Sequence, residues 1–212
     1  MGGDANEPAP DDSRLPPDAH GAWRIELRHY PIAHRSHAFL TLVDPSGEVR
    51  GELHGLAFSR NGPVPSLDNP DLPEKPMAIG IDGSRLKGEY RSAESAMGAQ
   101  SKKAGDVAYG TYNDVVRGKW ARGQQIADEI NRRNLDYKGD DLSYEAGARK
   151  GGQIQNSNSA AYTYGKAMDL DLDSAIRDAG IERRFPGWGR NLVDPAYKPY
   201  VAPPMFPTEN RQ

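Results

Sequence analysis

The residues best suited to acyl-transfer chemistry fall in two stretches far apart in the chain. The first is Ser36-His-Ala-Phe-Leu-Thr-Leu-Val-Asp44, which carries His37 and is soon followed by Glu52-Leu-His54; the second is Asn156-Ser-Asn-Ser159. A serine hydroxyl is a weak nucleophile until a base takes its proton, and imidazole is the side chain poised for that near neutral pH. The developing oxyanion needs fixed N–H donors, which the first turn of a helix supplies together with a favourable dipole. Ala160, Ala161, Tyr164, Ala167 and Met168 recur at helical spacing just after the serines, so Ser157 is expected at a helix start. The histidines stand at 20, 29, 34, 37 and 54, so any base must come from the early part of the chain. There is no cysteine, which excludes a thiolate nucleophile, a disulfide and a thiolate zinc site.

The elements that must bring these stretches together are legible in outline. Trp23-Arg-Ile-Glu-Leu-Arg28 alternates apolar and polar residues, as a half-buried strand does. Ser36–Asp44 and Glu48–Phe58 read as two strands of a hairpin, joined by Asp44-Pro-Ser-Gly47 with the residues of a type I turn. Closing that turn on Asp44 and Gly47 sets His37 opposite His54 and Phe39 opposite Glu52, all on one face. His37 is then the base and His54 its orienting partner, with Glu52 as the alternative; His34 replaces His37 if the strand begins earlier, and His20 and His29 look incidental. A slip of one residue in the register would undo the arrangement.

Elsewhere, residues 1–20 are acidic and proline-rich and are expected to be disordered, leaving 21–212 as one α+β domain with an irregular C-terminal tail. Residues 60–76 read as loop, Met77–Ile81 as a short strand and Lys87–Tyr90 as another, with the rest of 86–108 of no clear type. A long helix is expected from Tyr112 to Asn134, weakened by Gly118 and Gly123; Lys138–Gly152 reads as loop and Ser174–Ala179 as a short helix. In Phe185-Pro-Gly-Trp-Gly-Arg-Asn-Leu192, Trp188 either pins the tail or lines a cleft.

The chain has 212 residues, 36% of them hydrophobic, with 23 glycines and 17 prolines, which predicts a modest core and long connections. A net charge of -3 gives no footprint for nucleic acid or an anionic membrane. No apolar run is long enough to span a bilayer, and the N-terminus lacks the basic start and apolar core of a Sec-type signal peptide. The expectation is a soluble protein, cytoplasmic or exported without such a signal.

An early strand histidine, a hairpin, and much later Asn-X-Asn-Ser at a helix start together resemble the circularly permuted papain-fold hydrolases. That superfamily includes permuted NlpC-type peptidases, desumoylating isopeptidases and lecithin:retinol acyltransferase-like enzymes. Its helix opens with Asn-Cys and has an apolar residue three places after the cysteine. On Asn156-Ser157-Asn158-Ser159-Ala160 the cysteine position falls on Ser157 and the apolar position on Ala160; the family histidine falls on His37. The resemblance covers residues 22–60 and 150–172. It departs from the family at the nucleophile, where a thiol is usual. Ser157 is thus a native serine nucleophile, a replacement for a cysteine, or the mark of a relative that only binds.

What the resemblance implies is a permuted papain-like α+β fold, a small antiparallel sheet packed against helices. The implied activity is hydrolysis of a peptide, other amide or ester with no metal or cofactor. Ser157 attacks, its N–H receives the oxyanion, His37 moves the proton and His54 or Glu52 orients it. Asn156, Asn158 and Trp188 are candidate binding residues. Bacterial relatives of this kind act on the cell wall or as antibacterial effectors, so a peptidoglycan or acyl substrate and an immunity or delivery partner follow by analogy. Two further readings stand beside it, a binding module and a lipid acyl hydrolase. A plainer reading also competes, because Asn and Ser dominate helix N-caps and Asn156–Ser159 serves as one whatever else it does.

Overall fold

The computed structural model describes residues 22–32, 35–59, 84–96, 101–111, 115–139, 154–182 and 185–201. The N-terminal segment, the strand expected at Met77–Ile81, the loop at 60–76 and most of that at 138–152 lie outside them. Five strands form one antiparallel sheet: β1 (Trp23–Ile32), β2 (Arg35–Val43), β3 (Val49–Phe58), β4 (Arg85–Ser92) and β5 (Lys102–Gly110), in the spatial order β4-β3-β2-β1-β5. Three helices follow, α1 (Arg117–Arg133), α2 (Ser157–Ala167) and α3 (Leu172–Asp178). The class is α+β, as expected.

Alternation along the strands gives the sheet two unlike faces. Ile25, Leu27, Leu40, Leu42, Leu53 and Leu86 point inward, where they are buried with Trp120, Ile126 and Ile130 of α1 and Ala160, Ala161 and Tyr164 of α2. Glu26, Thr41, Glu52 and His54 alternate with them and point to the outer face, where they too are buried. On the inner face the helices come close enough to demand glycine. A Cβ on Gly55 would lie 2.3 Å from Ala160 Cβ and 3.1 Å from Ser157 Cα; one on Gly123 of α1 would lie 2.5 Å from Leu53 Cδ1. Gly123, a weak helix former, is therefore a packing requirement where α1 crosses β3.

The hairpin register differs from the expected one. Leu40 pairs with Leu53 and Thr41 with Glu52, so Phe39 rather than His37 falls beside His54. Two insertions cause the difference. Gly47, at φ +89, lengthens the turn so that Asp44 N–H donates to Glu48 O at 3.0 Å while Gly47 N–H donates to Asp44 O at 3.0 Å. A bulge between Leu42 and Val43 then adds a second residue on β3, since Leu42 pairs with Gly51 but Val43 with Val49. Two shifts of one residue restore the original parity, so His37, Phe39, Glu52 and His54 still share a face.

β5 is a strand the sequence reading left undecided. Its Lys-Lys-Ala-Gly-Asp start is polar and lies at a sheet edge beside β1, where lysines discourage pairing with other chains. Val115 and Val116 lead into α1 with N–H bonds to Thr111 O at 3.3 and 3.4 Å, residues 112–114 lying outside the described ones, and the helix ends at Asn134, whose φ of 48 makes a left-handed cap. α3 begins at Leu172, two residues before the expected start, with the Asp171 carboxylate accepting from Ser174 N–H. The tail is irregular, and Arg133 holds it by donating to the carbonyls of Leu192, Val193 and Asp194 at 2.8, 2.9 and 3.3 Å. Among the described residues no helix is long and apolar enough to cross a membrane.

Candidate active site

On the outer face three side chains form a chain of hydrogen bonds. Glu52 Oε2 lies 2.9 Å from His54 Nε2, and His54 Nδ1 lies 3.3 Å from His37 Nε2. Glu52 and His54 are fully buried, whereas His37 is partly exposed. A carboxylate only accepts, so His54 Nε2 carries the proton. In the tautomer in which His54 Nδ1 accepts from His37 Nε2–H, the lone pair of His37 is on Nδ1. Among the described residues that Nδ1 has no hydrogen-bond partner. Burial, and then the neighbouring His54, push the His37 imidazole down to about 3, so it is neutral at pH 7; the same burial makes it a weak base until the bound state stabilises its imidazolium. Glu52 therefore reaches His37 only through His54.

Flat rings hold this relay from the side. Phe39 stacks on His54 with centroids 4.4 Å apart and planes 17° apart, and Tyr30 stacks on the other side of Phe39 at 5.4 Å and 19°. From the inner face, Tyr164 of α2 donates its hydroxyl to the His54 carbonyl at 2.8 Å.

At the start of α2 the cap is built by Asn156 and Ser159. Asn156 Oδ1 accepts from the N–H groups of Asn158 (3.0 Å) and Ser159 (3.3 Å), and Ser159 Oγ accepts from Asn156 N–H at 3.4 Å, a reciprocal capping box. The plainer reading of Asn156–Ser159 thus holds for two of its four residues. The hydroxyl of Ser157 takes no part in the cap and, among the described residues, has no hydrogen-bond partner.

The structure brings Glu52, His54 and His37 together but does not join Ser157 to them by a hydrogen bond. Ser157 packs on Gly55 from the inner face, while the relay lies on the outer face. The two nevertheless meet the same part of the sheet. Asn158 Oδ1 accepts from Ala38 N–H at 2.8 Å, so the first turn of α2 docks on Ala38 and Gly55, the residues that follow His37 and His54. The β2–β3 ladder stops at Leu40 and Leu53, before either docking point.

The three candidate binding residues have their polar groups spent inside the fold. Asn156 caps α2. Asn158 spans from Ala38 N–H to Pro186 O, to which its Nδ2 donates at 3.1 Å. Trp188 donates Nε1–H to Asp173 at 2.6 Å and packs against Tyr162 and Phe185, which fits pinning of the tail. Gly187, at φ +86, lies so close to the cap that a Cβ would sit 2.6 Å from Ser159 Oγ.

His29, which looked incidental, is buried on the inner face with its Nδ1 3.0 Å from the hydroxyl of the equally buried Ser36. The signal was available: strand parity opposite to that of His37 across a tight β1–β2 hairpin. Both groups are sealed from solvent, so they form a satisfied buried pair. Among the described residues no three of His, Asp or Glu converge as metal ligands. Surface grooves along α1 and at the α2–α3 turn are lined by other residues than the relay. Comparison with protein-family models, curated proteins and solved structures finds no match to this chain.

Proposed function

We propose that this chain is a serine-type acyl-transfer hydrolase of permuted papain-like arrangement, acting on an amide, peptide or ester. The observation that carries the reading is the Glu52–His54–His37 relay, which ends in a partly exposed neutral imidazole with an unengaged nitrogen. The uncommitted hydroxyl of Ser157 at a helix N-terminus supports it. In this mechanism Ser157 Oγ attacks the substrate carbonyl while His37 Nδ1 takes the hydroxyl proton. The Ser157 N–H, on the first turn of α2, faces the developing oxyanion. His37 then protonates the leaving amine or alcohol, and a water molecule, deprotonated by the same imidazole, releases the acyl group. The mechanism requires hydroxyl and imidazole to be brought together on substrate binding, at the end of the β2–β3 ladder where the strands are no longer paired.

A second reading, a relative that binds without catalysis, is favoured by one observation: Ser157 makes no hydrogen bond to an imidazole in this structure. A fluorophosphonate probe separates the two. The hydrolase reading expects labelling at Ser157, abolished by Ser157→Ala and reduced more by His37→Ala than by His54→Ala, since the base moves the proton and its partner only orients it. A folded, unlabelled wild-type chain would leave the binding reading. Peptidoglycan stem peptides and short acyl esters are the first substrates to compare, and activity on acyl esters or phospholipid alone would mark a lipid acyl hydrolase.

A further inference from the structure

The relay lies beyond the last rung of the β2–β3 ladder. Backbone pairing joins the strands from Val43 and Val49 to Leu40 and Leu53 and goes no further toward His37 and His54. Hydrogen bonds at both ring nitrogens fix two points of the His54 imidazole, but they leave it free to rock about the line joining them. Something must also set the plane of the ring. Phe39 is the side chain placed to do so: it is fully buried, lies face to face with His54 at 4.4 Å, and is itself backed by Tyr30 at 5.4 Å in a nearly parallel stack. It also lies 5.9 Å from the His37 ring at 31°. A flexible aliphatic side chain of similar volume would fill the space without presenting a flat face.

We propose that Phe39, clamped between Tyr30 and His54, is a positioning residue that fixes the plane of His54 and so keeps Glu52, His54 and His37 in line. The inference deepens the hydrolase reading and rests on it for its catalytic meaning. Its physical content, that the stack holds the ring plane in which Glu52 selects one tautomer of His54, stands apart from activity. Phe39 touches no reacting atom and acts only through His54.

The test compares Phe39→Leu, which keeps apolar volume, with Phe39→Tyr, which keeps the flat ring. Two readouts are taken on the full-length chain: long-range proton–nitrogen NMR spectra of the imidazoles across pH, and the rate of fluorophosphonate labelling of Ser157. The wild type is expected to show His54 as one tautomer, protonated at Nε2. Phe39→Leu is expected to average the His54 nitrogens toward mixed tautomers and to slow labelling about threefold to tenfold, the scale of one aromatic contact, while Phe39→Tyr restores both. A Phe39→Leu spectrum that keeps the wild-type tautomer overturns the proposal, whatever the labelling rate. If the wild type is never labelled but Phe39→Leu still mixes the tautomers, the positioning role stands and the hydrolase reading falls. Should Phe39→Leu fail to fold, Phe39→Met takes its place under the same criteria. Failure of both to fold makes Phe39 a core residue and overturns the proposal.

Discussion

The two faces of the sheet are buried by opposite means. The inner face is sealed by shape: small residues let α1 and α2 press against the strands, and Gly55, Gly88 and Gly123 leave no room for even a methyl group. The outer face is sealed around polar groups, and its buried carboxylates are met by partners. Glu26, 2% exposed, is met by Arg24, Arg28 and Lys103, while Glu52 meets His54. A close-packed face is intolerant of added volume and indifferent to charge elsewhere. A polar face tolerates changes of shape better than the loss of a partner, because an abandoned buried donor or acceptor forfeits its hydration without return. The catalytic proposal needs both faces at one place, since Ser157 belongs to the first and His37 to the second.

The largest expected effect breaks the inner face. Gly55→Ala puts a Cβ 2.3 Å from that of Ala160 and should destabilise the chain by about 3 kcal/mol, read as a lowered urea midpoint. It should also displace the first turn of α2, so a variant of unchanged stability would mean that the helix does not dock as described. Glu52→Gln acts on the outer face without changing its shape. The loss of a charged acceptor for His54 Nε2–H should cost about 2 kcal/mol in the same measurement. A cost near zero would show that the carboxylate is not what holds the relay.

The effect that is absent at neutral pH and grows only toward acid is a pH dependence. His37 is pushed from its ordinary 6.5 to about 3 by burial and then by His54. The unfolded chain therefore binds the proton first as pH falls, and His37 contributes stability that is whole above pH 6.5 and is lost between there and about pH 3. One such group contributes a slope of at most about 1.4 kcal/mol per pH unit. Subtracting the pH profile of His37→Gln from that of the wild type should isolate it. A difference that is flat across this window, or that rises toward acid, would show that His37 is not held neutral.

The division between faces also explains what could be read from sequence. Alternation in Ser36–Asp44 and Glu48–Phe58 fixed which residues share a face, because parity survives any even shift. The absolute register was not readable, because it depends on a positive φ at Gly47 and on a bulge at Val43, both of which are decided by how β3 twists against its neighbours. Asn156 and Ser159 carried the residue types of a cap, and they make one. β5 escaped because an exposed edge strand has little reason to alternate in polarity. The link from Glu52 through His54 to His37 was half legible: the spacing of Glu52 and His54 places them on one face, but which of them touches His37 depends on the register. The inner-face placement of Ser157 was hidden altogether, since it follows from the missing side chain of Gly55.

The grip of Arg133 on the tail has a consequence for the order of assembly. Its guanidinium reaches carbonyls some 60 residues further on, at Leu192, Val193 and Asp194, and Thr163 Oγ1 receives the Leu192 N–H at 2.9 Å. Neither contact can form until α1 and α2 are already in place to receive the tail. Closure of this strap is expected on the native side of the folding barrier, where interactions retard unfolding and leave the rate of folding nearly untouched. The irregular segment that follows α3 would then be a kinetic latch, and Arg133→Ala should speed unfolding more than it slows folding.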